Sequence, residues 1–253
     1  MRQDERVPFD LALQRARPSA YPPGEFIGQE SFMRASEILT LAVRAGVGPG
    51  VPVLDLCCGV AGPGRLVARE LGCTYLGVDQ SRSAIEIAQA RATGLPCRFE
   101  VRRIPPVPAG PFGVVLLLET LLAFRDKDTL LRQVSSVLEP GGRLAFTLEE
   151  GQPLTPAERD AMPDAETVWP TPLADVVASC ARAGLSLRWH EECSSSHLDV
   201  VESLTDAFAA EASGIAAEIG DRAVDELLAA HRLWSDWLRR GRVRKFAVVA
   251  EKA

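Results

Sequence analysis

The sequence predicts an α/β protein built on a doubly wound, mostly parallel sheet of seven strands. A helical cap precedes the sheet, and a helical insertion separates its last two strands. Three observations carry this prediction. Short apolar runs alternate with helix-periodic segments through residues 51–148. A small-residue loop, Cys57-Cys58-Gly59-Val60-Ala61-Gly62, follows the first apolar run. An acidic residue, Asp79, ends the second run.

The elements follow in order. Residues 51–56 form an apolar run around Asp55, as in a strand buried on both faces. Residues 63–71 read as a helix, with Pro63 in its first turn and Gly72 as its stop. Residues 74–78 form the second strand. Ser81 then caps a helix running to Ala92, stopped by Gly94. Residues 97–101 and 112–118 are the third and fourth strands, the latter intensely apolar. Asp126 caps a helix through Leu138, and the turn Glu139-Pro140-Gly141-Gly142 leads into a fifth strand at 143–148.

The flanks differ from this core. Tyr21-Pro22-Pro23-Gly24 opens a cap, residues 1–50, with an amphipathic helix at 31–45. The core spans 51–150, and its remainder occupies 151–253. A polar stretch at 151–172 is longer than an ordinary connection. A helix at 173–183 and a strand at 185–191 follow. Two long helical patterns, 198–219 and 221–239, then interrupt the sheet before the last strand at 243–251. The insertion, about 194–240, covers the strand ends as a lid or forms a homodimer contact.

Composition bounds the function. A chain of 253 residues with 47% apolar and 25% charged residues buries a sizeable core. Its net charge of −6 argues against a grip on nucleic-acid phosphates. The basic run of Arg239, Arg240, Arg242, Arg244 and Lys245 reads as a solvated face. No apolar stretch is long enough to span a bilayer, and the start, Met1 to Phe9, has no leader-like run. The 6 cysteines lack metal-site spacing and read as small core residues in a reducing, cytoplasmic compartment. No metal is expected.

The chemistry concentrates at the first strand–helix junction. In a doubly wound sheet a ligand sits beyond the carboxyl ends of the strands, near the switch in strand order. Gly59, Ala61 and Gly62 let the backbone approach that ligand closely. Asp55 would repel a pyrophosphate and suits a ligand with a cationic amine. Asp79 stands where an acid accepts both hydroxyls of a ribose.

These residues resemble the class I methyltransferases that use S-adenosylmethionine (SAM), in the bacterial group with the ubiquinone-type and sarcosine/dimethylglycine-type enzymes. The resemblance rests on Leu54-Asp55-Leu56-Cys57-Cys58-Gly59, Gly77-Val78-Asp79 and Leu138-Glu139-Pro140-Gly141-Gly142-Arg143-Leu144. It implies a Rossmann-like fold and SAM as cofactor, with S-adenosylhomocysteine (SAH) as product. It further implies that Cys58, Gly59 and their neighbours hold the methionine part and Asp79 the ribose. Gln80 and Ile104 would flank the adenine, Leu118 would offer backbone, and Tyr21 and Gln29 would fold over the cofactor carboxylate. Two positions depart from the family. Arg103 stands near the place of an acid that meets the adenine amine, and it cannot accept a hydrogen bond. Ala123 stands where the family often carries a histidine.

For transfer itself the protein must align the acceptor and, for some acceptors, remove a proton. Glu119 is the first polar residue beyond the fourth strand, either at the pocket floor as a base or capping the next turn. His197, in the Ser194-Ser195-Ser196-His197 loop, points toward the same rim as a second candidate, or is structural. Trp169 is the better candidate for touching an acceptor. Trp234 and Trp237 share a helix face, as substrate platform or as core. The Ala-, Arg- and Pro-rich composition points to a GC-rich bacterial source and a specialised small-molecule acceptor. The alternative is a SAM-binding protein of the same fold that catalyses no methylation.

Overall fold

The computed structural model describes residues 13–253. The reading of Met1 to Phe9 therefore lies outside the described residues. The central sheet has seven strands: β1 (Pro52–Leu56), β2 (Thr74–Asp79), β3 (Cys97–Val101), β4 (Phe112–Leu117), β5 (Leu138–Glu150), β6 (Leu185–Glu192) and β7 (Arg244–Lys252). Their order is β3-β2-β1-β4-β5-β7-β6. β1 pairs in parallel with β2 and with β4, and β4 with β5, while β7 runs antiparallel between β5 and β6. The order therefore reverses between β1 and β4, and the crevice at their carboxyl ends is the switch point.

Alternation along the strands builds a core on each face. Leu54, Leu56, Val115, Leu117 and Phe146 pack to one side, with Leu130 and Val134 of α4 (Lys127–Val137) and Val176 of α6 (Leu173–Arg182). Val53, Val114, Leu116 and Ala145 pack to the other. There they meet Ile38 and Leu41 of α1 (Ala35–Arg44), and Leu66 and Val67 of α2 (Gly62–Leu71). A strand covered on both faces reads as an unbroken apolar run, which is why β4 was so legible. Ser81 caps α3 (Arg82–Arg91), accepting from Ala84 N–H at 3.2 Å.

The structure corrects several boundaries. The cap helix starts at Ala35 rather than 31, because Gln29 ties the preceding chain into a loop. Its amide donates to the carbonyls of Glu25 and Met33 at 2.8 and 2.9 Å and accepts from Ile27 N–H at 2.7 Å. Pairing of β5 begins already at Leu138, opposite Phe112, and shifts register before Arg143. The turn at 139–142 is thus an irregularity inside the strand. The stretch after β5 is not featureless, since α5 (Pro156–Ala161) sits in it, capped by Thr155. The pattern at 198–219 is two helices, α7 (Ser194–Ala210) and α8 (Ala212–Ile219), with α9 (Asp221–Arg239) after them.

Because β6 ends at Glu192, opposite Phe246 near the start of β7, the insertion leaves and re-enters at the carboxyl edge of the sheet. That is the edge where β1 and β4 end. The insertion shares a core with the cap: Leu13, Ala16 and Tyr21 pack against Val200, Leu204 and Phe208 of α7 and Val224 of α9. Cap and insertion therefore share one core at that edge of the sheet. Trp237 is buried with Leu154, Met162, Val168 and Val243 on the far side of α9, and Trp234 meets it edge-on, 5.3 Å between ring centroids.

Candidate active site

The loop after β1 is backbone under tension. Cys57 and Ala61 adopt φ of 60° and 54°, the left-handed region that glycine favours, and Glu119 does the same at 57°. Such strain persists only where the surroundings fix it, and all three residues line one cavity. Cys58 N–H donates to Val78 O at 3.0 Å, fastening the loop to β2. The Asp79 carboxylate accepts Gly59 N–H at 2.9 Å on one oxygen and Ser81 N–H at 2.8 Å on the other. One acid at the end of β2 thus sets both the loop and the start of α3.

Gly62 is required by close approach. A Cβ there would lie 2.6 Å from the backbone of Gly28, where the cap crosses the loop. Gly62→Ala is expected to force the cap outward and cost about 1–3 kcal/mol, as overpacking does. Thermal denaturation beside Gly48→Ala, a glycine with nothing within 4 Å, checks this. Equal melting temperatures for the two variants would contradict the tight crossing.

Two adjoining cavities open at the switch point. The smaller, about 230 Å³, lies between the cap at Gln29, the loop after β1 and Leu118–Thr120. Asp55, Cys58, Gly59, Ala61, Gly62 and Glu119 are in its wall. The larger, about 680 Å³, is lined by Asp79, Gln80 and Ile104 and by three exposed arginines, Arg102, Arg103 and Arg125. Glu30, Cys57, Gly59 and Thr120 belong to both walls.

The candidate side chains differ in what they have left to offer a ligand. Asp55 is buried and accepts the Tyr75 hydroxyl at 2.6 Å, so one of its oxygens is already taken. Burial pushes its carboxyl up to about 7, with Asp79 adding to the rise and the Tyr75 hydrogen bond opposing it. Burial also pushes the Cys57 thiol up to about 12 and the Cys58 thiol higher, so neither is a ready nucleophile. Tyr21 lines neither cavity; its hydroxyl donates to the Ser31 carbonyl and so braces the cap. Trp169 is held by its backbone to Leu122 and Lys127, and its ring lies between Arg125 and Arg159, at 4.9 and 4.0 Å from the guanidinium carbons. Trp234 and Trp237 line neither cavity.

His197 is not in a loop. Serines favour helix starts, and the run from Ser194 forms the first turn of α7, which points His197 inward to full burial. Its Nδ1 lies 3.8 Å from Glu119 and its Nε2 3.7 Å from Glu37 of α1, and neither nitrogen has a hydrogen-bond partner. Burial, with Lys245 nearby, holds the imidazole well below its usual pKa, so it is neutral.

The residue that the sequence concealed is Lys245. In the basic run it reads as solvated, but only its neighbours are. Arg242 pairs with Glu158 at 2.6 Å and Arg244 with Glu150 at 2.9 Å, while Arg239 and Arg240 pair with Glu202 and Asp236. Lys245, one strand position on from Arg244, turns inward and is 2% exposed. Its ammonium donates to Glu119 at 2.8 Å and to Glu149 of β5, and the Phe32 ring of the cap lies 5.7 Å away. Glu119 N–H in turn donates to Thr147 Oγ1 at 2.6 Å. The first residue after β4 is therefore clamped at backbone and side chain. The only sequence signal for Lys245 is its place opening an apolar strand.

Comparison with known proteins agrees with this geometry. Residues 53–142 match the methyltransferase-domain family model. The methyltransferase GfsG of Streptomyces halstedii is 35% identical over 125 residues, 46% of this chain and 45% of that protein. The chain thus spans less than half the length of such relatives. Among solved structures, the cyclopropane synthase MmaA2 from Mycobacterium tuberculosis superposes with a TM-score of 0.83 at 14% identity, covering 100% of this chain and 99% of that one. The [4+2]-cyclase SpnF gives 0.76 at 23% identity, over 96% and 93%. Residues 53–142 are thus similar to the methyltransferase-domain family, and the chain shares the Rossmann-like fold of these solved structures.

Proposed function

We propose that this protein transfers a methyl group from SAM to a small-molecule acceptor held under the cap and lid. The observation that carries the reading is Asp79: its carboxylate sits at the switch point, fixed by Gly59 and Ser81 N–H, and faces the larger cavity. Each carboxylate oxygen retains a second lone-pair site for a ribose hydroxyl. The residues fit the cofactor in other ways. The backbone cradle at Gly59–Gly62 would receive the methionine part in the smaller cavity, and Gln80 and Ile104 would flank the adenine. Gln29 would serve through the loop it holds, since both of its amide N–H donors are engaged.

The cofactor supplies a methyl group on a sulfonium, activated for in-line displacement. The chain's own part is to exclude water, orient the acceptor and manage its proton. Glu119 lines the cavity and would touch the acceptor, while His197 behind it, neutral and with open ring nitrogens, would act through Glu119. A specialised metabolite is the acceptor this reading favours, on the Ala-, Arg- and Pro-rich composition of the chain. No helix among the described residues is long and apolar enough to cross a membrane.

Calorimetry with SAM, followed by mass-spectrometric detection of SAH and a methylated product in extracts of candidate acceptors, tests the proposal. Absence of SAM binding would sink it. SAM binding without SAH formation across the panel would favour the non-methylating alternative.

A further inference from the structure

We propose that Glu37, His197 and Glu119 form one proton store, in which the proton that Glu119 takes from the acceptor passes through His197 to Glu37. The inference rests on Glu119 touching the acceptor, as proposed above. Its basis is an imidazole set between two carboxylates. His197 is fully buried, with Nδ1 3.8 Å from Glu119 Oε1 and Nε2 3.7 Å from Glu37 Oε2. Both ring nitrogens and Glu119 Oε1 are buried without a hydrogen-bond partner. A movement of under about 1 Å brings each contact within hydrogen-bond reach, and such contacts tighten when a substrate is bound. Glu119 Oε2 is taken by Lys245 at 2.8 Å. Glu37 Oε1 accepts the Ser196 hydroxyl, and its Oε2 accepts Arg34 N–H at 2.8 Å, which leaves Oε2 a second lone-pair site toward the ring.

A neutral imidazole has one N–H and one lone pair. The N–H suits one carboxylate, and the lone pair then faces the other, which is satisfied only if that carboxylate carries a proton. The three side chains therefore have room for one proton beyond a neutral ring and two ionised acids. Lys245 donates to Glu119 and not to Glu37, so Glu37 is the acid that takes it. Burial pushes the Glu37 carboxyl above its usual range, against the hydrogen bonds from Arg34 and Ser196. The other groups around the array are already committed: Arg34 to Asp199 at 3.2 Å and Lys245 also to Glu149, while burial keeps Tyr21 and Cys193 neutral. At rest the ring proton is on Nε2, facing Glu37. On transfer the methyl group leaves its bonding pair on sulfur and bonds to the acceptor atom. That atom keeps the electron pair of its own broken bond to hydrogen, and the proton passes to Glu119 Oε1. Glu119 gives a proton to Nδ1, and Nε2 gives its own to Glu37. When product leaves, the proton returns the same way to water in the open cavity, which restores the starting ring.

NMR of the histidine ring nitrogens, with the protein free and with SAH, tests this. An ordinary histidine gains a second ring proton as pH falls. His197 is expected instead to stay neutral and exchange tautomers, from Nε2–H to Nδ1–H, as pH falls from about 9 to about 5 through the raised pKa of Glu37. The sign follows from the array, because a protonated Glu37 donates to Nε2 and leaves the ring proton on Nδ1. Glu37→Gln should hold one tautomer throughout, since its amide does not titrate. Glu119→Gln, whose amide donates to Nδ1, should hold Nε2–H throughout. The signals are assigned against His197→Gln or, should that variant not fold, against His190→Gln and His231→Gln, which keep the ring. A single tautomer in the wild type across the range, protons on both ring nitrogens, or a switch that survives Glu37→Gln would overturn the store. SAH that fails to bind would overturn the methyl-transfer reading and, with it, the source of the proton, even with the switch present. A missing switch in protein that binds SAH would overturn the store alone.

Discussion

Lys245→Met is expected to lower the stability of the protein by about 3–5 kcal/mol, the cost of leaving buried carboxylates without their counter-charge. Lys245 is 2% exposed and joins Glu119 to Glu149, whose side chains are 11% and 3% exposed. Removing the ammonium strands both carboxylates in a site walled by Phe32 and His197. For a domain of this size the loss corresponds to a fall in melting temperature of roughly 6–20 °C. The pH dependence has a definite sign. Burial alone would lower the lysine's pKa, but Glu119 and Glu149 more than offset it, and the folded value is raised above 10.5. A cation with a raised folded pKa contributes stability that is complete below its unfolded pKa and is lost only as pH rises through the folded one. The difference between wild type and Lys245→Met should therefore hold through neutral pH. The triple variant Lys245→Met, Glu119→Gln, Glu149→Gln, which removes the charges together, should recover much of the loss. A melting temperature for Lys245→Met within a degree or two of wild type would reject the buried-cluster account.

That cluster also shows where reading the sequence stopped. Features set by local rules are legible: the unbroken apolar run of β4, the cap at Ser81, the small residues at Gly59 and Gly62, the acid at Asp79. Each depends on a few adjacent residues and on backbone sterics. Lys245 depends on tertiary placement, since it meets Glu149 and Glu119 across sequence separations of 96 and 126. Within its own segment nothing but strand parity separates it from Arg244. The serines before His197 suit a loop as well as a helix start, and the fold makes them the first turn of α7. The split between α7 and α8 was hidden for the opposite reason. Apolar periodicity continues through Glu211, and the break there is that one residue, at φ −98° and ψ 9°. The i, i+3 spacing puts Trp234 and Trp237 on one helix face, but periodicity cannot say which neighbour that face meets. The answer is the cluster around Val168 and Val243.

Asp79→Ala is expected to weaken SAM binding by about 2–3 kcal/mol, or roughly 30- to 150-fold, the range for hydrogen bonds to a charged group. Two losses add. The ribose hydroxyls lose their acceptor, and the backbone N–H groups of Gly59 and Ser81, at 2.9 and 2.8 Å from the carboxylate, lose theirs. The second loss matters because Cys57 and Ala61 already sit at φ of 60° and 54°, so the loop is held in shape by its surroundings rather than by its own preference. A loop released from β2 presents a different cradle to the methionine part. Asp79→Asn separates the contributions. Its amide oxygen can still accept one of the two N–H groups, but its nitrogen offers donors where an acceptor is needed. It should therefore keep more of the melting temperature than alanine while recovering little of the affinity. Calorimetry on both variants, with thermal denaturation as the folding control, gives the comparison. SAM binding at wild-type strength by a folded Asp79→Ala protein would remove Asp79 from the cofactor site and leave it as a brace between the loop after β1 and the start of α3.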